Sequence, residues 1–266
     1  PLVHIDTDAW EIGKNFPAAA AILGEPKATL PDLSSAVASL MAPATDRADA
    51  VAAKLAATKA ALVAKAEAEA HLLPLRPLPV IHAIGQLLPD DAIVIEEALS
   101  SGMNFIRHLI PSNHPDSYFG MRGGGIGMGL PQAIGAALAK PASTVVLTTG
   151  DGGGLMALAD LESAVRVARG RGLAVVWNDA AYSAEVHLYG MKGLAPEPML
   201  IPEVDFAGLA RSVGAEGVIV RTLDDLARLA EWVAKPAADR PFLLLDLRIS
   251  GAIIAPYQRE IIRVNS

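Results

Sequence analysis

The sequence predicts an α/β protein in which a parallel sheet is covered by helices on both faces. Short runs of consecutive aliphatic and β-branched residues alternate with helical segments along most of the chain, and such runs are typical of strands buried on both faces. Hydrophobic residues make up 52% of the 266 residues but aromatic residues only 5%, so the core must be aliphatic. The length fits one large α/β unit with further segments.

The elements before residue 80 follow from three patterns. Residues 2–6 are predicted to form a short buried strand. Residues 32–73 are rich in alanine and lysine, and 48–70 contain neither glycine nor proline, so one or two helices are expected there. Pro74, Pro77 and Pro79 then mark a boundary.

Beyond Pro79 strands and helices alternate regularly. Strands are predicted at 92–95, 144–148, 173–177, 217–220 and 242–247. Helices are predicted at 80–88, 129–138, 160–168, 206–213 and 223–234. Because ligands of parallel sheets bind beyond the carboxyl ends of the strands, functional residues are expected just after these strands.

The composition argues against several classes of function. Twenty-two basic and 29 acidic residues give a net charge of −7, which disfavours nucleic acid or an anionic membrane as the main partner. The absence of cysteine excludes disulfides, thiolate metal sites and cysteine nucleophiles. Since no apolar stretch reaches about 18 residues, we expect a soluble, cytoplasmic protein that does not bind membranes.

A glycine-rich turn that contains one aspartate follows the strand at 144–148. The backbone N–H groups of 150–154 suit a phosphate, but Asp151 would repel a bare one. A divalent cation between carboxylate and phosphate removes that conflict. Asn178 and Asp179 end the next strand, so both strand ends can converge on one ion. Taken alone, 150–154 also fits an ordinary tight turn.

A dinucleotide site is the alternative for this turn. Gly152, Gly154 and Ala157 are spaced like part of a nicotinamide-dinucleotide fingerprint, with Asp179 near the position of a ribose-binding acid. That interpretation leaves Asp151 unexplained and gives the clusters at 96–102 and 123–131 no role. We therefore favour the metal–phosphate site and keep an NAD(P)-binding oxidoreductase domain as a remote alternative.

Taken together, the motifs resemble the thiamine diphosphate-dependent enzymes, a family that includes benzoylformate decarboxylase, pyruvate decarboxylase and acetolactate synthase. The resemblance lies in Gly-Asp-Gly at 150–152, Asn-Asp at 178–179, and Gly-Gly-x-Gly-x-x-Leu-Pro-x-Ala-Ile-Gly at 124–135. It implies the C-terminal, diphosphate-binding half of such an enzyme. The implied parts are the end of the middle domain at 1–32, a helical connector at 33–79, the diphosphate-binding domain at 80–250 and a C-terminal tail at 251–266.

The resemblance also implies roles for individual residues. Mg²⁺ would be bound by Asp151, Asp179 and the carbonyl of Ala181; Asn178 is the alternative ligand, since the family usually has asparagine where Asp179 stands. The cofactor-binding set would be Ser100, Ser101, Gly124, Ile126, Gly150, Asp151, Gly152, Gly153, Asp179, Ala181 and Tyr182.

Three residues are expected to take part in catalysis. By the resemblance, Ile126 would wedge under thiamine diphosphate and the Gly124 carbonyl would accept a hydrogen bond from its amino group. Glu185 matches a glutamate that assists decarboxylation and protonation, and a solvated helix glutamate is the alternative.

The resemblance implies a C–C lyase or ligase acting on a small 2-oxo acid or acyl substrate. A decarboxylase is favoured, and an acetolactate synthase-like carboligase or an acyl-CoA lyase is the alternative. No pyrimidine-binding domain is present in the chain, so we expect one from another chain or segment, in a dimer or tetramer of assembled units. The sequence leaves FAD binding open, and it does not identify the substrate.

Overall fold

A computed structural model describes residues 1–41, 45–100, 102, 105–110, 112, 114–121 and 123–265. The chain divides into two units, Pro1–Ala57 and Thr58–Ser266. The domain boundaries expected from the resemblance stay a prediction.

The first unit contains two parallel strands and a helix. β1 (Val3–Asp6) pairs with β2 (Ala20–Leu23), and α1 (Pro26–Leu40) follows. The strand predicted at 2–6 is confirmed, but its expected burial is wrong. Val3 is 53% exposed, because the described residues of this unit pair β1 with β2 alone.

A long helix, α2 (Thr45–Glu69), confirms the prediction for 48–70. Alanine and lysine have high helix propensity, so the segment can be helical although most of its residues are exposed. In the part that belongs to the second unit, Leu62 and Val63 pack against the core of that unit.

The second unit is built on a parallel sheet, as the sequence predicts, and the sheet has six strands where the sequence predicts five. The strands are β3 (Ile93–Glu96), β4 (Tyr118–Gly120), β5 (Val145–Gly150), β6 (Gly172–Asn178), β7 (Glu216–Val220) and β8 (Leu243–Arg248). Their order across the sheet is β4-β3-β5-β6-β8-β7, and every pair is parallel. After β3 the chain passes first to one side and then to the other, so the strand order reverses beside β3, where α/β sheets bind ligands.

Helices cover both faces of this sheet. The helices of this unit are α3 (Pro77–Leu87), α4 (Ile106–Leu109), α5 (Gly129–Ala139), α6 (Asp151–Met156), α7 (Leu161–Val167), α8 (Ser183–Gly190), α9 (Phe206–Ser212), α10 (Ala227–Ala234) and α11 (Pro256–Asn265). Within the described ranges, no helix is both long and apolar enough to cross a membrane.

Two hydrophobic layers result from the alternation of side chains along the strands. Val94, Val146 and Val175 face one layer, which includes α3 and α10. Ile95, Leu147 and Val176 face the other, which includes α5, α7 and α9. The same alternation applies at the strand ends, so the side chains of successive residues there point to opposite faces of the sheet.

Candidate functional site

A cleft opens at the carboxyl ends of β3, β5 and β6. It is lined by Glu97, Ala98, Leu99, Ser100, Ile126, Gly150, Asp151, Gly152, Gly153, Trp177, Asp179, Ala181, Tyr182, Ser183, Ala184 and Glu185. Four segments that are distant in sequence thus meet in one place. Ser101 lies outside the described residues, and Gly124 and Asn178 do not line the cleft.

Asp151 connects the end of β5 to the end of β6. Its side chain is buried, and Oδ1 accepts a hydrogen bond from the Gly152 amide at 2.8 Å. Oδ2 accepts from the amides of Ala180 at 2.7 Å and Ala181 at 3.3 Å. These bonds hold Ala180 in the left-handed region with φ 60°, which non-glycine residues rarely adopt. Burial, followed by the charge of Asp179, raises the pKa of Asp151 to about 6.

Asp179 provides the second carboxylate of the cleft. Its Oδ2 accepts a hydrogen bond from Ser183 Oγ at 2.6 Å. Burial raises the pKa of Asp179, and the Ser183 hydroxyl opposes that rise. Two partly desolvated carboxylates that repel each other are a donor pair that a hard divalent cation would stabilise. Within the described ranges, no three His, Cys, Asp or Glu side chains group into a metal site, so a cation here would also need backbone or ligand oxygens.

The side chain of Asn178 is directed into a buried network beside the cleft. Its Nδ2 donates to Asp246 Oδ1 at 2.8 Å and to the Val204 carbonyl at 2.9 Å. Asp246 is fully buried and also accepts from Arg248 Nη2 at 2.7 Å. Of the two possible side-chain ligands at this strand end, Asp179 is therefore the one that faces the cleft.

The packing of Tyr182 explains why position 152 is a glycine. A Cβ at Gly152 would collide with the Tyr182 ring, so the ring lies directly against the backbone at the start of α6. The neighbouring Gly153 is crowded from another direction, because its Cβ would lie 2.8 Å from Thr149 Oγ1. The turn thus needs small residues for packing and exposes backbone to the cleft.

Ile126 projects from a glycine-rich loop into the cleft. It is one of the exposed large hydrophobic side chains of the protein, at 41% exposure. Gly123, Gly124 and Gly127 have φ values of +78°, +71° and +87°, which side-chain-bearing residues rarely adopt. The loop conformation that presents Ile126 therefore depends on these glycines.

Glu185, on α8, is one of the residues that line the cleft. Its backbone N–H donates to the Tyr182 carbonyl at 3.0 Å. Burial, followed by the charge of Glu185, raises the pKa of Tyr257 on α11. Two residues further along the helix, His187 is buried; its Nε2 lies 2.8 Å from the Gly251 carbonyl and its Nδ1 lies 3.2 Å from Gln258 Oε1. His187 thus connects α8 to the C-terminal segment.

Glu97 is a lining residue to which the sequence assigned no role. It is 7% exposed and accepts hydrogen bonds from the amides of Gly127 and Met128 and from Thr149 Oγ1. A glutamate just after an apolar strand gives no sign of such contacts in sequence, because its partners lie 30 and 52 residues away.

Comparisons with known proteins identify the family to which this chain is similar. Residues 100–245 match the family described as thiamine pyrophosphate enzyme, C-terminal TPP binding domain. Benzoylformate decarboxylase of Pseudomonas aeruginosa is 34% identical over 64% of this chain and 32% of its own length. The probable acetolactate synthase large subunit of Methanocaldococcus jannaschii is 27% identical over 96% of this chain and 43% of its own length.

A solved structure supports the fold. The thiamine diphosphate-dependent 4-hydroxybenzoylformate decarboxylase of Rhodococcus jostii RHA1 matches with a TM-score of 0.66 and 24% identity, over 94% of this chain and 44% of that one. The chain thus spans 32% to 44% of the length of these three proteins.

Proposed function

Because this chain belongs to the thiamine pyrophosphate enzymes, whose C-terminal TPP-binding domain it carries, we propose that it forms part of a Mg²⁺-dependent C–C lyase or ligase for 2-oxo acids. A decarboxylase is the favoured activity. The observation that carries the proposal is that Asp151, Asp179, Ile126 and Glu185 line one cleft at the point where the strand order reverses.

The residues of the cleft fit the diphosphate end of the cofactor. Asp151 and Asp179 would hold Mg²⁺ together with the carbonyl of Ala181, which relieves the repulsion between the two carboxylates. Ser100 would donate its hydroxyl to the diphosphate. Gly153 would donate its amide from the first turn of a helix, where N–H groups favour anions.

The middle of the cleft fits the rest of the cofactor. When bound, thiamine diphosphate supplies a thiazolium that accepts the electron pair released when a 2-oxo acid loses CO₂. Ile126 would pack against the cofactor from the glycine-rich loop. The Gly124 carbonyl, two residues earlier, is the acceptor that the family resemblance assigns to the cofactor's amino group.

Glu185 favours decarboxylation over carboligation. Glu185 is one of the residues that line the same cleft, and there it would carry the proton that replaces CO₂ on the product carbon. A carboligase joins two carbon units and has less need of such a proton donor. An acetolactate synthase-like carboligase or an acyl-CoA lyase is the alternative if Glu185 proves dispensable.

A partner completes the proposed enzyme. The chain spans 32% and 43% of the relatives named above, so the pyrimidine-binding domain would come from another chain or another segment. Substrate contacts from that partner would then determine which 2-oxo acid is used.

Calorimetry with thiamine diphosphate, in the presence and absence of Mg²⁺, tests the proposal. We expect binding that requires Mg²⁺ and that Asp151→Ala abolishes, because the substitution removes a metal ligand. Asp224→Ala, which removes an exposed acidic side chain from the same chain, is the matched control and should bind like the wild type. Equal affinity in Asp151→Ala, or binding of NADH without Mg²⁺ in place of thiamine diphosphate, would overturn the proposal.

A further inference from the structure

We propose that Glu97 is a positioning residue that fixes the backbone of the glycine-rich loop and thereby places Ile126 in the cleft. Only the final consequence, the effect on the cofactor, rests on the proposed function. The structural part concerns this chain alone and can be tested without any ligand.

The contacts of Glu97 join three elements. Oε1 accepts from the amides of Gly127 and Met128, the latter at 2.9 Å. Oε2 accepts from Thr149 Oγ1 on β5 at 2.9 Å. Glu97 itself continues the sheet after β3, since its N–H donates to the Thr148 carbonyl at 2.8 Å. One carboxylate thus ties the loop to two neighbouring strands of the sheet.

Among the described residues, Glu97 is the hydrogen-bond partner of the backbone amides that directly follow Ile126. A side chain that is 41% exposed is placed mainly by its backbone, and glycine-rich backbone has much conformational freedom to lose. Gly127 follows Ile126 directly and has φ +87°. Since Glu97 binds the Gly127 amide, it fixes the peptide that immediately follows the side chain in question. Hydrogen bonds to a charged acceptor are among the strong ones.

Two glycines pack closely against the Glu97 carboxylate. A Cβ at Gly129 would collide with Glu97 Oε2, and a Cβ at Gly153 would lie 3.3 Å from Glu97 Cδ. Gly129 at the start of α5 and Gly153 in α6 thus restrict the carboxylate from two sides. The preceding Glu96 faces the opposite side of the sheet, where it lies 3.7 Å from Arg107 Nε, so it cannot replace Glu97.

Hydrogen exchange at the amides of Gly127 and Met128, measured by NMR on the ligand-free chain, tests the structural part. Glu97→Ala removes the acceptor, so we expect exchange at both amides to accelerate by at least about tenfold. Glu97→Gln should restore slow exchange, because its carbonyl oxygen can accept both bonds while its amide donates to Thr149 Oγ1. Thr149→Val should have a partial effect, and it keeps the test decisive if Glu97→Ala does not fold. Glu96→Gln is the matched control and should leave both amides protected.

Binding then tests the consequence for the cofactor. Relative to Glu97→Gln, Glu97→Ala should weaken Mg²⁺–thiamine diphosphate about tenfold but change Mg²⁺–pyrophosphate less than about twofold, because Ile126 would contact only the rest of the cofactor. Unchanged exchange at Gly127 in both Glu97→Ala and Thr149→Val, or equal damage from Gln and Ala, overturns the inference. If exchange behaves as expected while the wild type binds neither ligand, the proposed function fails and the loop-positioning role of Glu97 stands.

Discussion

Glu96 and Glu97 are adjacent in sequence but face opposite layers of the protein. Glu97 faces the cleft, where backbone amides satisfy its charge. Glu96 is 5% exposed, and one of its oxygens has no hydrogen-bond partner. Burial raises the pKa of Glu96 to about 7, although Arg107 opposes the rise. An unsatisfied buried carboxylate costs stability whenever it is ionised.

This environment predicts a pH dependence of stability. The pKa of Glu96 is 4.5 without perturbation and about 7 in the fold, so between these values the folded state holds the proton that the unfolded state has lost. The free energy of unfolding should therefore fall by up to roughly 3 kcal/mol as the pH rises from about 4.5 to 7. Denaturant unfolding at pH 5 and 7.5 measures it. Glu96→Gln should flatten the dependence, and an unchanged slope in that variant contradicts the assignment.

The charge at position 179 gives a second prediction at this scale. Asp179 stands where the resembled family usually has asparagine, and its extra negative charge would repel a diphosphate. Asp179→Asn keeps an oxygen for the metal and for Ser183, so we expect Mg²⁺–thiamine diphosphate to bind more tightly, by a factor on the order of ten. Calorimetry measures the change, with Asp224→Asn as a control of equal charge. Weaker binding of Asp179→Asn would show that the second carboxylate is needed.

The turn between β5 and α6 is the element that brings the cleft together. Its glycines are not equivalent: a Cβ at Gly152 meets the Tyr182 ring, whereas a Cβ at Gly150 meets nothing within 4 Å. Gly150 also has an ordinary φ of −74°. The same substitution at two positions of one turn should therefore have different results.

We expect Gly152→Ala to lower the free energy of unfolding by about 1–3 kcal/mol, the usual cost of overpacking. Gly150→Ala should be neutral or slightly stabilising, because it reduces only the freedom of the unfolded chain. Thermal or denaturant unfolding of both variants distinguishes them. Similar destabilisation at the two positions would contradict the proposed packing of Tyr182.

Elements with strong periodic signals could be predicted from the sequence. Five of the six strands in the second unit contain an apolar run of at least three residues, and their predicted ranges agree with the structure to within a few residues. β4 was not predicted from the sequence, because Tyr118–Gly120 is only three residues long and ends in glycine. α11 was not predicted from the sequence, because its apolar residues are few and most of its surface is exposed. The segment therefore has the composition of a tail.

The residues of the candidate site likewise divide into those that the sequence could identify and those that it could not. Asp151 and Ile126 were identifiable as a charge and a large aliphatic residue among glycines, and Asp179 was identifiable because it follows an apolar strand next to Asn178. Glu97 and the buried partner of Asn178, Asp246, were not, because both act through contacts across the sheet. Sequence spacing along one segment does not contain that information.

At the scale of the whole molecule, the proposed function assigns the diphosphate end of the cofactor to the cleft of this chain and the pyrimidine end to a partner. We therefore expect CO₂ release from 2-oxo acids to stay at background for the chain alone and to appear when a pyrimidine-binding domain is supplied. Activity should elute in size exclusion with dimers or tetramers of the assembled units. The assembly with Asp151→Ala is the control and should be inactive. Full activity in a monomer of this chain would refute the requirement for a partner.

Because Trp177 lies at the cleft, its fluorescence can report on the cleft. The chain has three tryptophans; Trp177 lines the cleft, Trp10 is 75% exposed, and Trp232 is buried with its indole N–H bonded to the Pro241 carbonyl at 2.7 Å. Replacing Trp10 and Trp232 by phenylalanine would leave a single fluorophore against the candidate site. Its emission would then follow any occupant of the cleft directly, without a label and without turnover.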